Sequence, residues 1–160
     1  MDHDNYSDDY IRGVLRQVRT IAMVGASAHW NRPSFFAMKY LQKKGYRVIP
    51  VNPREAGKEI LGEKAYANLT EIPDQVDMVD CFRAAAQIPP IADGAIEIGA
   101  KVLWMQIGVR NDEAARKAEA AGLKVVMNRC PKIEYGRLSG EIGWLGINTR
   151  VISSKRQKRI

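Results

Sequence analysis

The sequence predicts an α/β fold: a doubly wound, mainly parallel five-stranded sheet with helices on both faces. Two observations carry this expectation. The first is a phrase that occurs three times: KKGYRVIPV, EIGAKVLWM and AAGLKVVMN each place a glycine (Gly45, Gly99, Gly122) behind a helical segment and ahead of a short β-branched run. Glycine accepts the left-handed position that ends a helix and β-branched residues favour a strand, so each phrase reads as a helix-to-strand joint. The second is size: 160 residues with 46% apolar side chains are enough for one domain around one core.

The elements follow in order. Residues 7–18 read as a helix with Tyr10, Ile11, Val14, Leu15 and Val18 on one face. Residues 20–24 form the first strand. The next helix starts near Pro33, a residue suited to a first helical position, and ends at Gly45. The second strand is 47–51, and a longer connection with Gly57, Gly62 and Pro73 covers 54–75. The third strand is 76–82; a helix behind Pro89 and Pro90 turns Ile91, Ala92, Ala95 and Ile96 inward. The fourth strand is 101–105. Asn111 caps the following helix, with Asp112 and Glu113 favourably placed in its first turn. The fifth strand is 124–127, and the chain beyond it reads as irregular. The expected strand order is 3-2-1-4-5, with a ligand crevice at the carboxyl ends of the strands.

Composition removes several function classes. No apolar run approaches the ~18 residues a membrane span needs. The start, MDHDNYSDDY, is acidic and is not a signal peptide. Two cysteines, Cys81 and Cys130, make no disulfide framework and fit a reducing cytoplasm. The net charge of +7 is uneven: five of the 25 Lys and Arg, and none of the 18 Asp and Glu, fall in residues 150–160, leaving 20 bases against 18 acids elsewhere, or +2. Residues 1–149 are therefore expected to form the domain and 150–160 a disordered, solubilising tail; nucleic acid is not an expected partner.

All five predicted strands end alike. Apolar residues give way to Gly25-Ala26-Ser27, Asn52-Pro53-Arg54, Phe82-Arg83, Gln106-Ile107-Gly108 and Asn128-Arg129-Cys130. Three tips carry arginine, which points to an anionic ligand in one crevice. Gly25 permits close backbone approach, the helix behind Pro33 offers free N–H groups, and Ser27 and Arg32 add a hydroxyl and a fixed charge. The G-x-x-x-x-G-K-[ST] loop of nucleotide hydrolases is absent. So is G-x-G-x-x-G: counting from Gly25, the later glycine positions hold Ser27 and Trp30. The second strand ends on Arg54 where NAD sites place an acid; an arginine there suits an extra ribose phosphate, which NADP and coenzyme A both carry.

The ordered segments IAMVGAS, RPS, GYRVIPVNP, LGEKAY, VDMVDCFR, GAKVLWMQIGV and GLKVVMNRCPKIEY resemble the CoA-binding-domain proteins, small stand-alone relatives of the CoA-binding domain of the succinyl-CoA synthetase α subunit. The resemblance runs from Thr20 to Leu138 and implies a Rossmann-like fold with coenzyme A as ligand. It implies that Gly25, Ala26 and Ser27 meet the phosphates and that Val51, Asn52 and Pro53 lie near the adenosine. Phe82, Arg83, Gln106 and Ile107 would line the pantetheine path. Asn128, Arg129 and Cys130 match the signature N/D-R-C-P of the stand-alone proteins. The synthetase loop carries more glycine after the position of Ser27, where the present chain reads AHWNRP.

No catalytic residue is expected. The synthetase histidine that takes up phosphate sits in a separate ligase domain, and the two histidines here are His3, expected in a frayed terminus, and His29, in the loop. Two histidines and two scattered cysteines build no metal site. Cys130 reads first as a structural cysteine ahead of Pro131; the alternative is a reactive one, since the charges of Arg129 and Lys132 would favour its thiolate and a mixed disulfide with the coenzyme thiol. The leading expectation is a non-catalytic protein that binds coenzyme A or an acyl-CoA. The alternatives are an NADP-linked oxidoreductase and a CoA-site subunit of a separate acyl-CoA ligase; a homodimer is compatible with the first.

Overall fold

The computed structural model describes residues 1–140. Among these residues are seven strands, β1 (Thr20–Val24), β2 (Arg47–Val51), β3 (Glu59–Ile60), β4 (Glu63–Lys64), β5 (Met78–Cys81), β6 (Val102–Met105) and β7 (Lys124–Val126), and five α-helices, α1 (Asp8–Gln17), α2 (Pro33–Lys43), α3 (Ile88–Glu97), α4 (Asp112–Ala120) and α5 (Pro131–Leu138). The main sheet is wholly parallel in the order β2-β1-β5-β6-β7, with Val24 opposite both Val51 and Cys81. The three repeated glycines end their helices with φ of 99°, 72° and 95°. Asn111 caps α4 by accepting from the Ala114 N–H at 2.9 Å.

Strand side chains alternate between two cores, as the pleat requires. Ile21, Met23, Val48, Met78, Trp104 and Val126 pack under α1, α2 and α5. Ala22, Val24, Val79, Cys81, Leu103, Met105 and Val125 pack under α3 and α4. Helix faces thus change sides between the β1–β2 and β5–β6 crossovers, and a doubly wound sheet opens its crevice there, between β1 and β5.

Two expectations are corrected. The strand order is 2-1-3-4-5 among the five main strands, not 3-2-1-4-5. The outer side of β2 is already taken: the Asn52 N–H donates to the Tyr66 carbonyl (2.8 Å), the Tyr66 N–H donates to that of Pro50 (3.0 Å), and the β3–β4 hairpin lies alongside. The third main strand is left to pair on the free side of β1. The segment after Cys130 is also not irregular but forms α5, opened by Pro131 at its first turn. The basic tail 150–160 lies outside the described residues, as does the last stretch of the expected domain, 141–149.

The N-terminus is not frayed. His3 is 9% exposed, with Nδ1 2.7 Å from the Tyr6 hydroxyl and Nε2 2.6 Å from Glu119. The Tyr6 hydroxyl accepts from the Met127 N–H (2.8 Å), and the Tyr10 hydroxyl donates to the Val125 carbonyl (2.9 Å), so this strap occupies the free edge of β7. Tyr6→Phe keeps the ring but strands the Met127 N–H. It should cost about 1 kcal/mol in urea unfolding and speed hydrogen exchange at Met127; unchanged exchange there would refute the contact. No helix of the described residues is long and apolar enough to cross a membrane.

Candidate functional site

The tips of β2, β1 and β5 are stitched together by backbone. The Gly25 N–H donates to the Val51 carbonyl and the Phe82 N–H to that of Val24, each at 2.8 Å. Gly25 has φ +90°, and a Cβ on it would stand 2.3 Å from the Phe82 carbonyl oxygen, so only glycine lets the two loops touch. Side chains hold the rest of the loop. Asn52 Nδ2 donates to the Ala26 carbonyl (2.9 Å) while its Oδ1 accepts from the Arg54 N–H (3.0 Å). Ser34 Oγ accepts from the Ser27 N–H (3.2 Å), and Ser27 Oγ accepts from that of His29 (3.1 Å).

These contacts shape a polar cleft of about 380 Å³ lined by Gly25, Ser27, His29, Arg32, Pro33, Ser34, Asn52, Arg54, Glu55, Phe82 and Arg83. None of the ion pairs among the described residues uses Arg32, Arg54 or Arg83, and the one acid in the lining, Glu55, faces Lys58 at 3.7 Å. The N-terminus of α2 adds its own partial positive charge beside Arg32, the residue that precedes the helix.

The five tips do not close on one crevice, as the sequence had led us to expect; they divide among clefts. A second cleft, about 720 Å³, is mainly apolar and lies over the tips of β5 and β6 and the start of α5. Its walls include Phe36, Ala37, Ala84, Gln106, Ile107, Val109, Cys130, Lys132 and Ile133, and it shares Pro33, Phe82 and Arg83 with the polar cleft. A third, about 750 Å³, opens on the α3 side between Val51, Pro53, Leu69, Thr70, Ile91 and Glu97. Arg83, at the switch point, borders all three.

Among the candidates from the sequence, Gly25, Ser27, Arg32, Asn52, Arg54, Phe82 and Arg83 come together in the polar cleft, and Gln106, Ile107 and Cys130 in the apolar one. Ala26 is buried and lends its carbonyl to Asn52, while Val51 and Pro53 line the third cleft. Two candidates are turned to other work. Asn128, at φ +57°, accepts the Gly108 N–H on Oδ1 (2.7 Å) and ties two loops together. Arg129 stacks its guanidinium 5.2 Å over the Tyr6 ring and donates to the Asn128 and Asp4 carbonyls. Without that charge beside it, the Cys130 thiol follows its burial, which holds it above its ordinary value despite the backbone N–H of Ile133. Burial thus works against an activated thiolate at Cys130 and fits a structural cysteine ahead of Pro131.

A buried acid stands behind Gln106, one of the residues lining the apolar cleft. Asp80 is fully buried in β5, accepts from Gln106 Nε2 on Oδ1 (2.7 Å), and has no hydrogen-bond partner for Oδ2 among the described residues. Burial pushes its carboxyl up to about 7. Its signal was present in VDMVDCFR: the second of the two acids falls among apolar residues in the middle of a strand of a sheet covered on both faces. Phe36 and Ile133 were missed, and Lys132 was read only as a neighbour of Cys130, because they reach the clefts from first helical turns, not from strand tips.

Fold and crevice define a doubly wound α/β domain with a cationic cleft at its switch point. A family model described as a CoA binding domain matches residues 19–136, and the chain belongs to that family. It is 37% identical over 131 residues to the uncharacterized protein YneT of Bacillus subtilis, covering 82% of this chain and 96% of that one. It is 34% identical over 89 residues to the alpha subunit of acetate–CoA ligase (ADP-forming) I of Pyrococcus furiosus, covering 53% of this chain and 19% of the subunit. This chain thus spans about a fifth of that ligase subunit. A hypothetical protein from Pyrococcus horikoshii OT3, 41% identical, superposes with a TM-score of 0.80 over 86% of this chain and 96% of that one.

Proposed function

We propose that this chain binds coenzyme A or an acyl-CoA across its strand tips and acts as a binding protein without a catalytic group of its own. The observation that carries the reading is the convergence of Arg32, Arg54 and Arg83 on the Gly25 loop with no ion-pair partner among the described residues. Guanidinium forks and backbone N–H groups at a helix start are the chemistry that receives phosphate. Arg54, in the turn that follows β2, takes the 3′-phosphate, and the hydroxyl of Ser27 with Arg32 takes the diphosphate. The pantetheine arm then runs past Phe82 and Arg83 towards Gln106, Ile107 and Cys130. Family membership and the similarity to ligase subunits support coenzyme A over NADP. Two unpaired cysteines fit the cytoplasm, where we place the protein.

Thermal unfolding with coenzyme A, NADP and NAD tests the reading. A ligand at 100 times its dissociation constant adds ~2.7 kcal/mol of stability. Coenzyme A should raise the melting temperature and the dinucleotides should not; stabilisation by NADP alone would replace this reading with the oxidoreductase. Arg54→Ala should erase the preference for coenzyme A over dephospho-coenzyme A, expected at roughly tenfold in the wild type. An equal preference in both proteins would place the 3′-phosphate elsewhere. The ligase similarity also favours a second reading, in which the chain lends its coenzyme site to a separate ligase partner. Co-purification of a protein with a histidine-bearing ligase domain would support it.

A further inference from the structure

We infer that the second cleft is an acyl subsite, so that the chain selects an acyl-CoA with an apolar acyl group over free coenzyme A. The inference rests on the coenzyme reading and adds the class of group carried at the thiol end.

Among the described residues five large hydrophobic side chains are exposed, and three of them, Phe36 (48%), Ile107 (59%) and Ile133 (45%), line this one cleft. They come from three separate places, the first turn of α2, the turn behind β6 and the first turn of α5. Sequence neighbourhood therefore does not account for the cluster. Water-exposed apolar surface gathered in a concavity of about 720 Å³ is the kind that binds a small apolar group. The cleft is continuous with the phosphate side through Pro33, Phe82 and Arg83, so one ligand can occupy both. A pantetheine arm carries two amides, short methylene links and one gem-dimethyl group; an alkyl or aryl group beyond its sulfur supplies the further apolar surface that three exposed hydrophobic walls call for. The thiol in the lining, Cys130, is pushed up by burial, which makes it a poor nucleophile towards a thioester.

Calorimetric titration with coenzyme A and its acetyl, butyryl and hexanoyl thioesters tests this. Each methylene buried at ~0.8 kcal/mol is about a fourfold gain in affinity, so butyryl should bind roughly fifteenfold tighter than acetyl. Ile133→Ser and Phe36→Ser, both at exposed positions that leave the core alone, should shrink the hexanoyl-to-acetyl ratio. A flat series from a protein that binds coenzyme A overturns the acyl subsite and leaves the coenzyme reading standing; no binding of any of the four overturns both. The rival occupant is a second copy of this chain. It predicts a flat series together with a dimer that Ile133→Ser dissolves in sedimentation, and that result too overturns the subsite.

Discussion

Gly25→Ala is expected to cost about 3 kcal/mol or more, a fall of roughly 10 °C in melting temperature, and to weaken coenzyme binding with it. Two separate effects add. The backbone stands at φ +90°, where a side chain is strained by ~1–2 kcal/mol. The new methyl would also lie 2.3 Å from the Phe82 carbonyl oxygen, a backbone atom locked by the Phe82 N–H bond to Val24. One loop must move, and either movement pulls Arg83 or the Ser27 hydroxyl out of the cleft. Gly57→Ala isolates the first effect, because φ is +83° there and nothing lies within 4 Å of the added methyl. If both variants lose the same stability, the contact between the β1 and β5 loops does not decide the matter.

Asp80→Asn should stabilise the protein at pH 8.5 by several kcal/mol and change it little at pH 4. Burial raises the Asp80 carboxyl from 3.8 to about 7, and the hydrogen bond from Gln106 offsets only part of that. Between those values the folded chain holds a proton that the unfolded chain has released, so stability falls as pH rises. This contribution is fully present below about pH 4 and lost above about pH 7. Three units at 1.36 kcal/mol each give on the order of 4 kcal/mol. Asparagine carries no charge to bury, and the Gln106 amide can turn to suit it. Urea unfolding of both proteins at the two pH values reads the difference directly. A gap between them that stays constant with pH would mean that Asp80 is not the group whose charge is buried.

The three helix-to-strand joints were legible because each depends on a glycine and its immediate neighbours, and local rules govern such turns. The polar cleft was legible for a related reason: strand ends in a parallel sheet lie at one edge, so the sequence alone brings Ser27, Arg54 and Arg83 together. What failed was decided at long range. Whether the third strand joins β2 or β1 depends on Tyr66 reaching back to Pro50 and Asn52, which no run of residues announces. Arg129 was counted with the crevice, yet it is claimed by Tyr6, more than a hundred residues away in sequence. His3 looked terminal and is held by Glu119. The α5 helix carried a usable sign in Pro131, the same sign read correctly at Pro33, but Lys132, Glu134 and Arg137 interrupt its apolar face.

The coverage of the two outer strands bears on how this domain can be built into larger assemblies. Tyr66 and the β3–β4 hairpin sit along β2, and the Tyr6–Tyr10 strap sits along β7, so neither border offers a row of open backbone groups. A partner cannot lengthen the sheet by adding a strand of its own unless it first peels one of these covers away. Any companion subunit must instead meet the domain through helix surfaces or over the rim where the clefts open, and in the second case it would sit directly upon the bound molecule.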